Sequence, residues 1–153
     1  LLREKGATLS TAESCTGGAV AAALVTVPGS SDYFLGSIVS YANAVKMDVL
    51  GVTANALENH GAVSKEVVEQ MAAGVRNRLQ TTYSLALSGV AGPDGGSDEK
   101  PVGTVWIALA GPNGVRSKCF RFETDRQRNI QRAVLTALNL LRCELLEINI
   151  EKS

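Results

Sequence analysis

An α/β fold is what this sequence predicts: a three-layer α/β/α sandwich on a mixed, mostly parallel sheet. Three observations carry the prediction. Short β-prone apolar runs alternate along the chain with stretches of helical periodicity. Two of those runs feed directly into turns rich in glycine and hydroxyl residues, Ser10-Thr-Ala-Glu-Ser14-Cys-Thr-Gly-Gly18 and Ser88-Gly-Val-Ala-Gly-Pro-Asp-Gly-Gly96. Finally, Gly111-Pro-Asn-Gly114 reads as a hairpin turn between two apolar runs, so one strand pairing is antiparallel and the sheet is mixed.

Each element follows from local pattern. Leu1–Lys5 with Gly6 reads as the last turn of a helix and its C-cap, so the chain is expected to begin inside an element. Ala7–Glu13 reads as a strand. Gly17 to about Val25 is a small-residue helix stopped by Pro28-Gly29, and Phe34–Tyr41 is a second strand. Asn43 is placed to cap a short helix, and Thr53 another over Ala54–Asn59. Ser64 caps a longer helix that aligns Val67, Val68, Met71, Ala72, Val75 and Leu79 on one face. A strand at Thr82–Ser88 leads into the Gly89–Pro101 loop. Val102–Ala110 is almost continuously apolar, as a strand covered on both faces is. Val115–Phe122 is the last strand, and a helix from about Asp125 to Glu147 buries Ile130, Ala133, Val134, Ala137, Leu138, Leu141 and Leu145.

With 153 residues and no repeat, linker or low-complexity tract, residues 1–153 read as one domain with one sizeable core. Fifteen basic residues balance fifteen acidic ones, which gives no electrostatic case for nucleic acid or an acidic membrane surface. Any anion site must be local. Cys15, Cys119 and Cys143 are too scattered for a disulfide framework or a zinc site, and they fit a reducing compartment. With neither a signal peptide nor a membrane-length apolar run, a cytoplasmic location is expected. Cys15 stands out because a thiol at a helix start can be acidified.

Ser14 lies where a strand hands over to a helix, the usual place for an active residue in an α/β sheet. It reads either as a nucleophile, with N–H groups near Thr16 and Gly17 as the oxyanion hole, or as an N-cap; position alone favours the cap. The run is neither a G-x-S-x-G elbow nor a P-loop. A serine nucleophile needs a base. His60, the single histidine, sits at a helix end, where complementing the helix dipole is its commoner role. A lysine serves if burial frees its amine. Ser97-Asp-Glu-Lys100 has the spacing of S-x-x-K but lies on a polar loop. Lys46 is better placed, with Tyr41 nearby to relay a proton or hold it, although spacing alone equally describes a surface lysine and an edge tyrosine. Ser88 faces the second glycine-rich turn as a ligand contact, or the whole segment Gly89–Pro101 is only a long hairpin loop. Asp94 and Asp98 lack clustered partners, so no metal is expected. Arg126, Arg128 and Arg132 could hold a phosphate or form a solvated helix face.

Together Thr11-Ala-Glu-Ser-Cys-Thr-Gly-Gly18, Ser40-Tyr41 with Lys46, His60-Gly-Ala-Val-Ser64, Gly92-Pro-Asp-Gly-Gly96 and Lys100-Pro-Val-Gly-Thr104 resemble the CinA C-terminal domain. That is the nicotinamide-nucleotide amidohydrolase family, known from competence/damage-inducible proteins. The resemblance runs from about Gly6 to about Leu141. It implies an α/β/α domain hydrolysing the carboxamide of nicotinamide mononucleotide to nicotinate mononucleotide and ammonia, without a cofactor. It implies Ser14 as nucleophile, Tyr41 as its tyrosine and Lys46 as general base, and so reverses the local preference at Ser14 and Lys46. Substrate contacts carry over to Ser88 and to Arg128, with Arg126 as the alternative. Beside them, the backbone N–H groups of Thr16, Gly17 and Gly18 are expected to hold the oxyanion, and the glycine-rich turn that begins at Ser88-Gly89 to hold ribose and phosphate. Some family members carry a larger domain ahead of this one, and a catalytically weak nucleotide-binding or interaction module is the alternative function. Small α/β enzymes often pair symmetrically, so a homodimer is expected.

Overall fold

The computed structural model describes residues 1–149. Its elements are β1 (Leu9–Glu13), α1 (Ala19–Val25), β2 (Phe34–Val39), α2 (Asn43–Leu50), α3 (Ala54–His60), α4 (Lys65–Leu79), β3 (Tyr83–Gly89), β4 (Thr104–Gly111), β5 (Gly114–Arg121) and α5 (Arg126–Leu145), with a 3-10 turn at Ser30–Asp32. The strands form one sheet in the order β2-β1-β3-β4-β5. β1 runs parallel to both β2 and β3, whereas β3–β4 and β4–β5 are antiparallel. Only β4 is therefore reversed, and the other strands share one direction. The mixed α/β sandwich expected from the sequence is the fold.

Strand alternation explains the layers. Leu85, Leu87, Val105, Ile107 and Leu109 face one side, where Val20 and Leu24 of α1 and Ala133, Ala137 and Leu141 of α5 cover them. The intervening Ala12, Ala86, Ala108 and Ala110 face the other side, under Val67, Val68, Met71 and Val75 of α4. That second face is built of small residues, so α4 lies close to the sheet. Ser84 Oγ donates to the Ala72 carbonyl at 2.7 Å, directly bonding strand to helix. α2 crosses α4 just as closely: a Cβ on Gly74 would sit 1.9 Å from the Leu50 carbonyl oxygen. β1 and β3, central in the sheet, are buried on both faces; β2 and β5 are its edges.

The local signals hold with shifts at the ends. Thr53 and Ser64 cap α3 and α4, accepting from Ala56 N at 3.1 Å and Val67 N at 3.3 Å. Asp125 caps α5, accepting from Arg128 N at 2.8 Å. Asn43 is the first residue of α2 and not its cap; Ala42 holds that position without a side-chain bond. α1 starts two residues later than expected because Gly17 and Gly18 have φ of 58° and 103°, outside helical space. Leu1–Lys5 form a single turn in which Lys5 N donates to Leu1 O, closed by Gly6 at φ 59°. No helix among the described residues is long and apolar enough to cross a membrane.

Candidate active site

Three neighbouring parallel strands, β2, β1 and β3, end side by side, and their carboxyl ends deliver the site. This is where open α/β sheets place ligands. β1 ends at Glu13, and Ser14 continues its line by donating its N–H to the Leu87 carbonyl of β3 at 3.0 Å. Beside it Ser40, just past β2, donates its N–H to Glu13 O at 2.9 Å. The chain then turns into α2, whose Lys46 points back over the strand ends and is 1% exposed.

Lys46 Nζ lies 3.0 Å from Ser14 Oγ, 2.8 Å from the Ser40 carbonyl and 3.2 Å from the Tyr41 carbonyl. Burial pushes its amine below the ordinary 10.5, and the Cys15 sulfur acts weakly the other way. The three contacts define the chemistry. A neutral amine has two N–H bonds and one lone pair, and carbonyl oxygens only accept. With both N–H groups on carbonyls, the lone pair is left to face the Ser14 hydroxyl. The lysine that spacing allowed to be a surface residue is thus a buried amine aimed at a serine.

Glu13 was not expected in any role, yet it organises the turn. It is fully buried, and its two carboxylate oxygens accept from Thr16 Oγ1 and Val20 N (both 2.8 Å), Ala21 N (3.0 Å) and Ser37 Oγ (3.2 Å). The signal was available: a glutamate inside a buried strand must be partnered. It also changes the reading of Thr16, Gly17 and Gly18, which do not line the pocket. The N-terminus of α1, expected to help form an oxyanion hole, is filled by the Glu13 carboxylate. Thr16 directs its hydroxyl to Glu13, and Gly17 N donates to Ser14 O at 3.0 Å. A Glu13→Gln substitution tests this arrangement. However the amide is turned, its NH2 meets a backbone N–H, so unfolding in urea is expected to show a loss of about 2–4 kcal/mol. Unchanged stability would show that the carboxylate is dispensable.

A pocket of about 290 Å³ opens above the strand ends, lined by Ser14, Tyr41, Lys46, Ser88, Asp94 and Arg126 among others. Ser88 and Gly89 are present as expected, and a Cβ on Gly89 would lie 2.6 Å from the Thr104 carbonyl, so only glycine fits there. Arg128 is elsewhere. It is exposed and 3.8 Å from Glu123, while Arg126 lines the pocket. Two residues along a helix are about 200° apart, so only one can face inward, and the packing of α5 selects Arg126. Its guanidinium donates to the Gly92 carbonyl at 2.7 Å and to the Tyr41 hydroxyl at 3.3 Å, with no carboxylate partner among the described residues. Tyr41 thus meets Lys46 through its carbonyl and Arg126 through its hydroxyl, which is bonded to neither Ser14 nor Lys46.

Cys15 is not acidified: burial above all pushes its thiol up to about 12, against the pull of Arg126 and Lys46. His60 is half-exposed at the end of α3, 3.7 Å from Glu66, and outside the pocket. Ser97 accepts from Lys100 N at 3.0 Å, a local turn and no catalytic pair. A second hollow of about 370 Å³ is lined by Ile107, Leu109, Arg116, Ser117, Lys118 and Leu140, and the Ser117 hydroxyl there donates to Glu69 Oε1 at 2.7 Å.

A family model described as the CinA C-terminal domain matches residues 1–145. The chain belongs to that family. A CinA-like protein of Parasynechococcus marenigrum is 53% identical over 95% of this chain, and one of Desulfosudis oleivorans 54% identical over 95%. The alignments span only 35% and 36% of those two proteins, so this chain covers about a third of such relatives. Among solved structures, the competence/damage inducible protein CihA of Agrobacterium tumefaciens superposes with a TM-score of 0.91 at 41% identity, covering 93% of this chain and 87% of that one. Competence damage-inducible protein A of Klebsiella pneumoniae gives 0.92 at 36%, covering 97% and 92%. The serine–lysine contact at the strand ends therefore sits in a CinA C-terminal domain of ordinary architecture.

Proposed function

We propose that this CinA domain hydrolyses the carboxamide of nicotinamide mononucleotide to nicotinate mononucleotide and ammonia. The observation that carries the reading is the 3.0 Å contact between Ser14 Oγ and a buried Lys46 whose two N–H groups are held by carbonyls. A binding module has no need of a desolvated amine against a serine.

Lys46 takes the Ser14 proton as Oγ attacks the amide carbon. Lys46 then gives its proton to the leaving nitrogen, the C–N bond breaks, and ammonia departs from an acyl-enzyme. Water enters, loses a proton to Lys46, and attacks the ester. Collapse releases the carboxylate and returns the proton to Ser14. Arg126 and Tyr41 form the anion end of the pocket. The guanidinium has no carboxylate to neutralise it, and the Tyr41 oxygen accepts from Arg126, which leaves the phenolic proton for a phosphate.

The test is ammonia release from nicotinamide mononucleotide by the purified chain. Release supports the reading, and binding without release replaces it with a nucleotide-binding module. Within it, Arg126→Ala is expected to raise KM about 10–100-fold, the worth of one charge-assisted contact, while Arg128→Ala leaves KM within about twofold. The reverse order would move the phosphate to the outer face of α5.

A further inference from the structure

Ser88, at the carboxyl end of β3, is 1% exposed, yet it lines the pocket that holds Ser14. Its hydroxyl donates to the Ala62 carbonyl at 2.7 Å. That acceptor is itself held in place. Ser64, which caps α4, donates its hydroxyl to Gly61 O at 2.8 Å and so ties down the turn carrying Ala62. A hydroxyl has one proton and two lone pairs, and a carbonyl cannot give a proton back. The direction of the bond is therefore fixed, and toward the pocket Ser88 Oγ can only accept.

We infer that Ser88 reads the substrate's carboxamide nitrogen and makes the site discriminate an amide from the corresponding acid. This rests on the amidohydrolase reading above. A carboxamide offers N–H donors, and one of them satisfies the Ser88 lone pair. A carboxylate offers only lone pairs, which face the lone pairs of Ser88. Sites built around a hydrogen bond reject the analogue that cannot make it. The same contact that admits the substrate thus disfavours the product, which helps its departure.

The experiment compares affinities for nicotinamide mononucleotide and nicotinate mononucleotide by calorimetry, in a Ser14→Ala background that prevents turnover. Three proteins are measured: Ser14→Ala alone, with Ser88→Ala, and with Ser88→Thr. Ser14→Ala is expected to prefer the amide. Ser88→Ala is expected to reduce that preference about 10-fold or more, by weakening the amide and sparing the acid. Ser88→Thr, which keeps the hydroxyl, should restore the preference. Equal weakening of both nucleotides in Ser88→Ala would mean a purely structural hydroxyl and overturns the inference, as does an unchanged preference. In either case ammonia release by the unsubstituted chain leaves the amidohydrolase reading standing. A Ser14→Ala protein that binds neither nucleotide overturns both.

Discussion

Ser14→Ala is expected to lower kcat/KM for ammonia release by about 10³-fold or more, the scale on which removal of a nucleophile acts. The expected change in stability is under about 1 kcal/mol, because the backbone of the turn is held by Glu13 and Leu87 rather than by the Ser14 hydroxyl. Thermal unfolding measured beside the kinetics separates the two effects. Activity retained within about tenfold would remove the acyl-enzyme from the mechanism. It would leave Lys46 activating water directly.

Lys46→Met is expected to cost as much turnover as Ser14→Ala, and the double variant no more than either alone. Groups that act as one unit lose their function together. Met keeps the length and apolar stem but has no lone pair for the Ser14 proton. The Ser40 and Tyr41 carbonyls lose their donor, so activity must be referred to the folded fraction. The pH profile adds an independent check. An ammonium cannot accept a proton, so kcat/KM of the unsubstituted chain should fall with falling pH through the Lys46 pKa, on a limb lying below 10.5. Stability has the same sign. The folded state holds the Lys46 proton less tightly than the unfolded chain, so unfolding takes up a proton between the lowered value and 10.5. Stability therefore rises with pH across that window, and Lys46→Met should flatten the rise. A rate limit unmoved by this substitution would assign the base elsewhere.

Local chemistry was legible, long-range placement much less so. Thr53 and Ser64 were readable because a cap is decided within three residues. The Gly111–Gly114 hairpin was readable for the same reason. The antiparallel pairing of β3 with β4 was readable only as one of two alternatives, a long hairpin over Gly89–Pro101, because a loop of that length carries no signal of direction. Lys46 shows the limit most clearly. Its spacing suits a surface residue, and only the fold of α2 over the ends of β1 and β2 makes it buried. Its partner Ser14 is 32 positions away, a contact that no periodicity encodes; the family resemblance supplied it. Arg126 and Arg128 were both candidates because helix phase relative to a pocket is a tertiary property. Glu13 was obscured for a different reason: the hydroxyls and glycines of its turn carry the stronger ligand signal, and a single charge within a strand does not say which donors surround it.

The reversed strand β4 has a practical consequence. It pairs Val105 with Gly89 next to the pocket and Ala110 with Ser84 at the far end of β3. Its turn at Pro112-Asn113 therefore lies roughly 20 Å along the sheet from the chemistry, at 3.4 Å per residue. Gly111 has to stay, since a Cβ there would meet the Tyr83 ring at 2.8 Å. Between Pro112 and Asn113, however, a tether or dye can be spliced in. A chain anchored to a surface through that splice would present the mouth of its pocket outward, open to solution.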